Sequence, residues 1–294
     1  MPSWKAADLV DLHAHSTASD GTETPAGLVE RAAEAGVSVL ALTDHDTLEG
    51  LDAFRTAARE RKLTAVGGAE VSSTLDGRRL HVVALGIREG AGLPLLDLLD
   101  RMRRYRRERN QEMLSRLASI GCPLSLAEVE SFAGGEVVAR PHFARAMVAR
   151  GYVESVAAAF PRYLAEGAPG YVPKKKVALE EIVGAIHACR SLAVAAHPNT
   201  LVPDDASKLE QRLRIAAEAG MDGVEAFHPD VSQGLRLRVF ECARKLGLLV
   251  SAGSDFHGRN KPDVMLARGP RRRRLTAADV APLLDRLAAL GALG

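Results

Sequence analysis

The residues able to do chemistry here are imidazoles and carboxylates that recur at the ends of apolar runs. The first run closes on Asp11-Leu12-His13-Ala14-His15. Side chains two apart in an extended segment leave the same face, so His13 and His15 project together. Two imidazoles at that spacing can close on one cation, although a polar strand end looks the same. Recurrence favours the cation. Asp20, Thr43-Asp44-His45, Glu70, His81, His197, His228 and Ser254-Asp255-Phe256-His257 follow at corresponding places in the chain. So many ligand-type residues at one topological position read as a metal site.

Elements must deliver these residues to one edge. Leu9 to His13 reads as a strand. Thr24 as N-cap and Pro25 at the first helical position start a helix that stops at Gly36. Val37 to Leu42 reads as a strand ending on Thr43-Asp44-His45, and a helix follows from about Leu48 to Arg61. The third strand, Leu63 to Ser73, carries Glu70. Asp76-Gly77 then predicts a two-residue hairpin turn, because a parallel crossover needs about a dozen residues. Folding there pairs Leu75 with Arg78, Ser73 with Leu80 and Ser72 with His81, which sets His81 diagonal to Glu70 on one face.

From residue 91 to 176 the pattern becomes helical and basic. Leu93 to Ile120 reads as one or two helices. Its arginines, Arg101, Arg103, Arg104, Arg106, Arg107 and Arg109, fall on several faces and read as a solvated surface. A second helical stretch follows Arg140-Pro141-His142, and Lys174-Lys175-Lys176 closes the segment. The expected division is therefore residues 1–90 with 177–294, interrupted by a helical insertion at 91–176.

The strand–helix rhythm then resumes. Helices Leu179–Cys189, Ser207–Ala219 and Gln233–Lys245 alternate with strands Ser191–Ala196, Gly223–Phe227 and Leu248–Ala252. Those strands end at His197-Pro198, His228-Pro229-Asp230 and Ser254-Asp255-Phe256-His257. A last helix spans about Thr276 to Leu290. His187, mid-helix, reads as structural, and Arg271 to Arg274 either flank the site or are solvated. Alternating strands and helices predict an α/β parallel barrel or doubly wound sheet, and such folds place chemistry at C-terminal strand ends.

Composition bounds the partners. A chain of 294 residues accommodates one large α/β domain, or one carrying an insertion. Hydrophobic content of 47% with 26% charged residues is that of a soluble globular protein. A net charge of +2 makes any basic character local. No apolar run is long enough to span a membrane and no N-terminal stretch is of signal type, so a cytoplasmic protein with no membrane partner is expected. Cys122, Cys189 and Cys242 lack metal-ligand spacing and read as buried thiols in a reducing cytosol. Nothing points to an obligate protein partner.

Taken in order, Asp-x-His-x-His, Thr-Asp-His, a strand Glu, a later His and a C-terminal Ser-Asp-x-His resemble the polymerase and histidinol phosphatase (PHP) superfamily. The resemblance covers nearly the whole chain and implies a distorted (β/α)7 barrel, TIM-like, with a two- or three-metal centre. Arg140-Pro141-His142 in a helical insertion and Tyr171-Val172-Pro173-Lys174 resemble the branch of nucleoside 3′,5′-bisphosphate phosphatases, some of which act as 5′-to-3′ exoribonucleases. By that resemblance His13, His15, Glu70 and Asp255 hold one metal, and Glu70 bridges to a second held by His81 and His197. Asp20, His45 and His257 hold a third, with Asp20 standing where some relatives have histidine. Nitrogen and oxygen donors without thiolate suit Mn²⁺, Fe²⁺ or Zn²⁺, and manganese is the expected ion. Asp11 and Asp44 flank ligands as supporting groups, though Asp44 also reads as a loop cap.

The implied reaction is in-line attack of a metal-bound water on phosphorus. It would remove the 3′-phosphate of a nucleoside 3′,5′-bisphosphate, and the 5′-3′ exonuclease activity would extend to short RNA or DNA oligonucleotides. Arg140 and Lys174, Lys175 and Lys176 are the candidate phosphate ligands, Arg as a fork and Lys as a point charge. His142 is either a phosphate contact or structural, and His228 is a candidate phosphate ligand or general acid. A histidinol-phosphate-type phosphatase and a non-catalytic, metal-stabilised module are the alternatives. The basic insertion argues against the first and the complete ligand set against the second.

Overall fold

A computed structural model of the chain describes residues 4–133, 138–203 and 205–294. In chain order the elements are β1 (Leu9–Asp11), α1 (Pro25–Glu34), β2 (Val37–Leu42), α2 (Leu51–Arg61), β3 (Thr64–Leu75) and β4 (Arg78–Leu85). They continue with α3 (Leu93–Ser119), α4 (Leu126–Glu130), α5 (Arg140–Ala149), α6 (Val156–Ala159), α7 (Leu179–Ala188) and β5 (Leu192–Ala195). The last are α8 (Leu209–Glu218), β6 (Gly223–Phe227), α9 (Gln233–Leu246), β7 (Leu249–Ala252) and α10 (Ala281–Ala289). The chain separates into two compact units, residues 1–99 with 177–294, and residues 100–176. That division falls later than the 90/91 boundary expected, inside α3, whose Leu95, Leu98 and Leu99 belong to the first unit and are buried. Among the described residues no helix is long and apolar enough to cross a membrane.

The first unit is built on one sheet of seven strands in sequence order. Neighbours pair in parallel except around β4, which is antiparallel to both β3 and β5. Asp76 and Gly77, at φ 48° and 71°, make the tight turn between β3 and β4. It sets Leu75 opposite Arg78 and Ser72 opposite His81, the register that the Asp-Gly turn predicts. The sheet curls because its outer strands meet. Backbone bonds Leu12 N–H to Ala252 (3.0 Å), Asp255 N–H to His13 (2.8 Å) and His15 N–H to Phe256 (2.9 Å) join the ends of β1 and β7. The result is a distorted, TIM-like α/β barrel. Its strands are buried nearly end to end, from Val10 and Leu40 to Val66, Val82, Val194 and Val224, as a sheet covered on both faces requires.

Local signals set the helices around it. Thr24 caps α1 by accepting from the Gly27 N–H at 3.0 Å, and Gly36 at φ 75° ends the turn beyond it. Ser232 caps α9 in the same way, and Gly247 at φ 69° closes it. The second unit has a core of its own, with Met113 and Leu117 of α3 packed with Phe143 and Met147 of α5, Val129 and Leu164.

Where β7 passes the end of β1 there is no room for a methyl group. A Cβ on Gly253 would lie 2.2 Å from the His13 Cβ and 2.8 Å from Glu225 Oε1. Gly253→Ala must displace one of them. It is expected to lower stability by about 1–3 kcal/mol in urea unfolding, and an unchanged midpoint would show that the two strands do not press together here.

Candidate metal centre

Each strand of the first unit delivers a group to the same edge. His13 and His15 follow β1, His45 follows β2, and Glu70 lies within β3. His81 is on β4, His197 follows β5, Glu225 and His228 are on and just after β6, and Asp255 and His257 follow β7. The backbone joins them before the side chains do. The Glu70 N–H donates to the Thr43 and Asp44 carbonyls, both at 3.1 Å, and the Asp46 N–H returns to the Glu70 carbonyl at 3.0 Å. Asp46, His197 and Asp255 adopt positive φ of 50°, 27° and 56°, and such strain is held where neighbouring structure dictates the backbone.

Glu70 is the centre of the group. Its Oε1 lies 2.7 Å from His81 Nδ1 and 2.8 Å from His197 Nε2. Its Oε2 lies 3.3 Å from His13 Nε2, 3.3 Å from His15 Nε2 and 3.0 Å from His45 Nδ1. Asp255 Oδ1 faces His13 (3.7 Å), His15 (3.3 Å) and His257 (3.3 Å). Asp20, on a half-exposed loop, reaches His257 Nε2 at 3.1 Å and His15 and His45 at 3.8 Å.

Donor atoms within 4.8 Å of one another form three overlapping groups. One is His13, His15, Glu70 and Asp255; another is His15, Asp20, His45 and His257; the third is His45, Glu70 and His81. His197 contacts the same Glu70 oxygen as His81 but lies outside the third group, where His45 stands instead.

Several of these atoms lack a partner. His13 Nε2, both ring nitrogens of His15, Glu70 Oε2 and His197 Nδ1 are buried without a hydrogen bond. Buried polar atoms ordinarily have one, and here three of the orphans face each other at 3.3 Å. A cation among them would satisfy all three, so the donor set fits a divalent metal. Charge points the same way. Burial opposes ionisation of Glu70, yet His45, His13 and His81 hold its carboxyl well below the usual range. Asp255 is likewise held far down, against its burial, by hydrogen bonds from His15 and His228 and by the charge of His13. Burial is outweighed at His45 too, where Glu70 and then Asp20 raise the ring to about 9. The carboxylates are thus ionised and accept only, as ligands must.

Buried acids hold the donors in place. Asp11 accepts from the Ser254 N–H (2.9 Å), the Ser254 hydroxyl (2.6 Å) and the Ala267 N–H (2.7 Å), which fixes the segment leading to Asp255. Asp44 accepts from the Ser16 N–H and hydroxyl and the Ser19 hydroxyl at 2.6–2.8 Å, and so ties down the loop carrying Asp20. Asp46 accepts from the Ser72 N–H at 2.8 Å. Glu225 was not singled out from the sequence. Its Oε1 lies 3.2 Å from His13 Nδ1, and its Oε2 accepts the His197 N–H at 2.8 Å. The one available signal was an acid inside the apolar run Gly223–Phe227. Lys261, also unforeseen, sets Nζ 2.5 Å from Asp255 Oδ2, the oxygen that His228 Nε2 approaches to 3.3 Å.

The other predicted residues belong to the second unit. Arg140 begins α5 and donates to the Leu164 carbonyl at 3.1 Å, with its guanidinium 5.4 Å from the Tyr171 ring. His142 Nδ1 accepts the Ala139 N–H at 3.1 Å, capping α5. Lys175 bonds Glu108 at 2.8 Å over the Tyr105 ring. Lys174 and Lys176 lie in the irregular stretch before α7. Arg271 and Arg272 are exposed, and Arg273 pairs with Asp279 at 2.6 Å.

Known proteins share this arrangement. The chain is 36% identical over 248 residues to the 5′-3′ exoribonuclease of Haemophilus influenzae, covering 84% of this chain and 89% of that protein. It is 36% identical over 262 residues to the 3′,5′-nucleoside bisphosphate phosphatase of Chromobacterium violaceum, covering 84% and 87%. A solved structure of an amidohydrolase from Chromobacterium violaceum with bound sulfate superposes with a TM-score of 0.74 at 32% identity, over 95% of this chain and 96% of that one. The sequence pattern of the PHP domain matches residues 11–166, beginning at the aspartate that opens Asp-Leu-His-Ala-His. By that match and by these relatives, the chain belongs to the PHP domain family.

Proposed function

We propose that the protein is a metal-dependent phosphoesterase that removes the 3′-phosphate from nucleoside 3′,5′-bisphosphates and also cleaves short 5′-phosphorylated oligonucleotides from the 5′ end. The observation that carries the metal dependence is the set of buried, unpartnered ligand atoms around Glu70. The activities printed for the Haemophilus influenzae and Chromobacterium violaceum relatives support the substrate class.

Divalent cations at such a site, when bound, neutralise a phosphoryl group and lower the pKa of water. Two or three are proposed, with Mn²⁺ first among Mn²⁺, Fe²⁺ and Zn²⁺. His13, His15, Glu70 and Asp255 hold the first, Glu70, His81 and His197 the second, and Asp20, His45 and His257 the third. Glu70 presents one oxygen to each side and so fixes the spacing of two charges. Glu225 accepts the His13 Nδ1 proton, which leaves Nε2 free to ligate. Asp11 and Asp44 anchor the segments that present Asp255 and Asp20. His228 accepts the Asp230 N–H at Nδ1, so its own proton sits on Nε2 at the rim, where it can be given to a leaving oxygen. The inserted unit supplies Arg140, Lys174, Lys175 and Lys176 for a remote phosphate, with His142 beside them. Its binding energy is then used to orient the reacting phosphate. Three buried free thiols fit a cytoplasmic setting.

Glu70→Gln keeps the shape but withdraws one charge from two cations. Metal analysis of the purified variant is expected to show at least one ion fewer per chain, with phosphatase activity down roughly 100-fold or more; full activity in a metal-free Gln variant would sink the assignment. Glu225→Gln touches no substrate and should weaken metal binding about 10- to 100-fold. A chelator titration read by activity checks this, and an unchanged titration midpoint would make Glu225 a packing residue only. The substrate is tested by comparing adenosine 3′,5′-bisphosphate with 3′-AMP. Losing the 5′-phosphate is expected to lower kcat/KM by orders of magnitude, and Arg140→Ala to remove most of that difference. Equal rates on the two compounds in the native enzyme would end the reading of a second phosphate.

A further inference from the structure

The second unit buries a positive charge that nothing on the protein neutralises. Along α3 the inward stripe runs Arg109 and Asn110, Met113 and Leu114, then Leu117, all buried. An arginine therefore stands at a core position of an amphipathic helix. Arg109 is 7% exposed. Its Nη2 donates to Asn110 Oδ1 at 3.0 Å, and its Nε is buried without any partner. The Asn110 amide in turn donates to the Val138 carbonyl at 3.2 Å, two residues before Arg140, so the start of α5 is tied to the turn of α3 that carries Arg109. Arg140 spends one N–H on the Leu164 carbonyl and lies over Tyr171. Among the described residues neither arginine forms an ion pair, although salt bridges are frequent elsewhere on α3.

A buried, unpaired guanidinium is costly, and proteins ordinarily pair it. Burial lowers the Arg109 pKa to about 10, with Arg106 and Arg140 deepening the drop and Tyr171 opposing it, so the guanidinium is still charged at neutral pH. Two guanidiniums with N–H groups to spare and no acid between them match one tetrahedral dianion, which accepts several such bonds at once.

We propose that Arg109 and Arg140 form a buried phosphate-binding site within the 100–176 unit, with Arg109 as its inner, charge-compensated member. The site takes a phosphate group, either the 5′-phosphate of a nucleotide or free inorganic phosphate. The first source rests on the substrate reading above. Arg109 then acts as a specificity-determining residue through contact with the phosphate itself, and the other arginines of α3 do not share that role.

The test uses the full-length, metal-loaded enzyme and its Arg109→Met and Arg109→Lys variants. AMP, adenosine and inorganic phosphate are each titrated by calorimetry and by thermal melting. Phosphates also bind the metal centre, so the readout is the difference between native and variant proteins. Arg109→Met removes a buried charge and is expected to melt at or above the native temperature in phosphate-free buffer, while AMP affinity falls roughly tenfold or more. Arg109→Lys keeps the charge without the fork and should lie between them, which covers the case of a Met variant that fails to fold. A deficit seen with AMP alone assigns the site to the nucleotide, and one seen equally with inorganic phosphate assigns it to the free ion. Identical AMP and phosphate affinities in native and variant proteins overturn the proposal. Loss of the 5′-phosphate preference and loss of Arg109-dependent binding are separable. A native enzyme with no kinetic preference but with Arg109-dependent phosphate binding refutes the substrate reading alone. A strong preference untouched by Arg109→Met refutes the Arg109 site alone.

Discussion

One carboxylate carries the arrangement of this protein. Glu70 is fully buried and five imidazoles, from His13, His15, His45, His81 and His197, approach its two oxygens. A buried anion among rings that cannot all donate to it is stable only if positive charge is supplied from outside the chain. The barrel is organised to meet that demand. Each strand ends where its side chain can share the charge, and the hairpin at Asp76-Gly77 sends β4 back so that His81 reaches the carboxylate from its own strand pair.

Around that centre lies a set of acids whose work is mechanical. Asp11, Asp44, Asp46 and Glu225 each accept hydrogen bonds from backbone or ring groups that lead to a ligand. Because they bind N–H and O–H groups that burial would otherwise strand, they fix loops that have no regular structure. Positive φ at Asp46, His197 and Asp255 shows where the chain is bent to serve the edge of the sheet. The strain is tolerated because hydrogen bonds on either side over-determine those residues.

The second unit follows a different rule. Its core is apolar, with Met113, Leu117, Phe143 and Met147 at the centre, and the charge that enters it does so on one helix face. Exposed arginines of α3 find acids of their own, as Arg103 does with Asp100 and Arg116 with Glu112. Arg109 does not. The contrast between paired surface cations and an unpaired buried one separates solubility from recognition within a single helix.

Sequence alone determined the metal-type residues and their strand-end positions. Spacing of two in Asp-Leu-His-Ala-His, and helix caps such as Thr24-Pro25, are local facts of backbone geometry. The Asp-Gly turn determined more, since a two-residue turn fixes register and register fixes which face His81 takes. Tertiary structure decided the rest. Glu225 looked like any strand residue until β6 was set beside the ends of β1 and β5, because only folding brings His13 and His197 to it. It also placed His45 closer than His197 to the Glu70–His81 pair. And it turned Arg109 inward where six arginines in nine positions read as a solvated surface. Periodicity reports which side of a helix is apolar, but what covers that side, and whether a charge on it meets an acid, depends on residues distant in the chain.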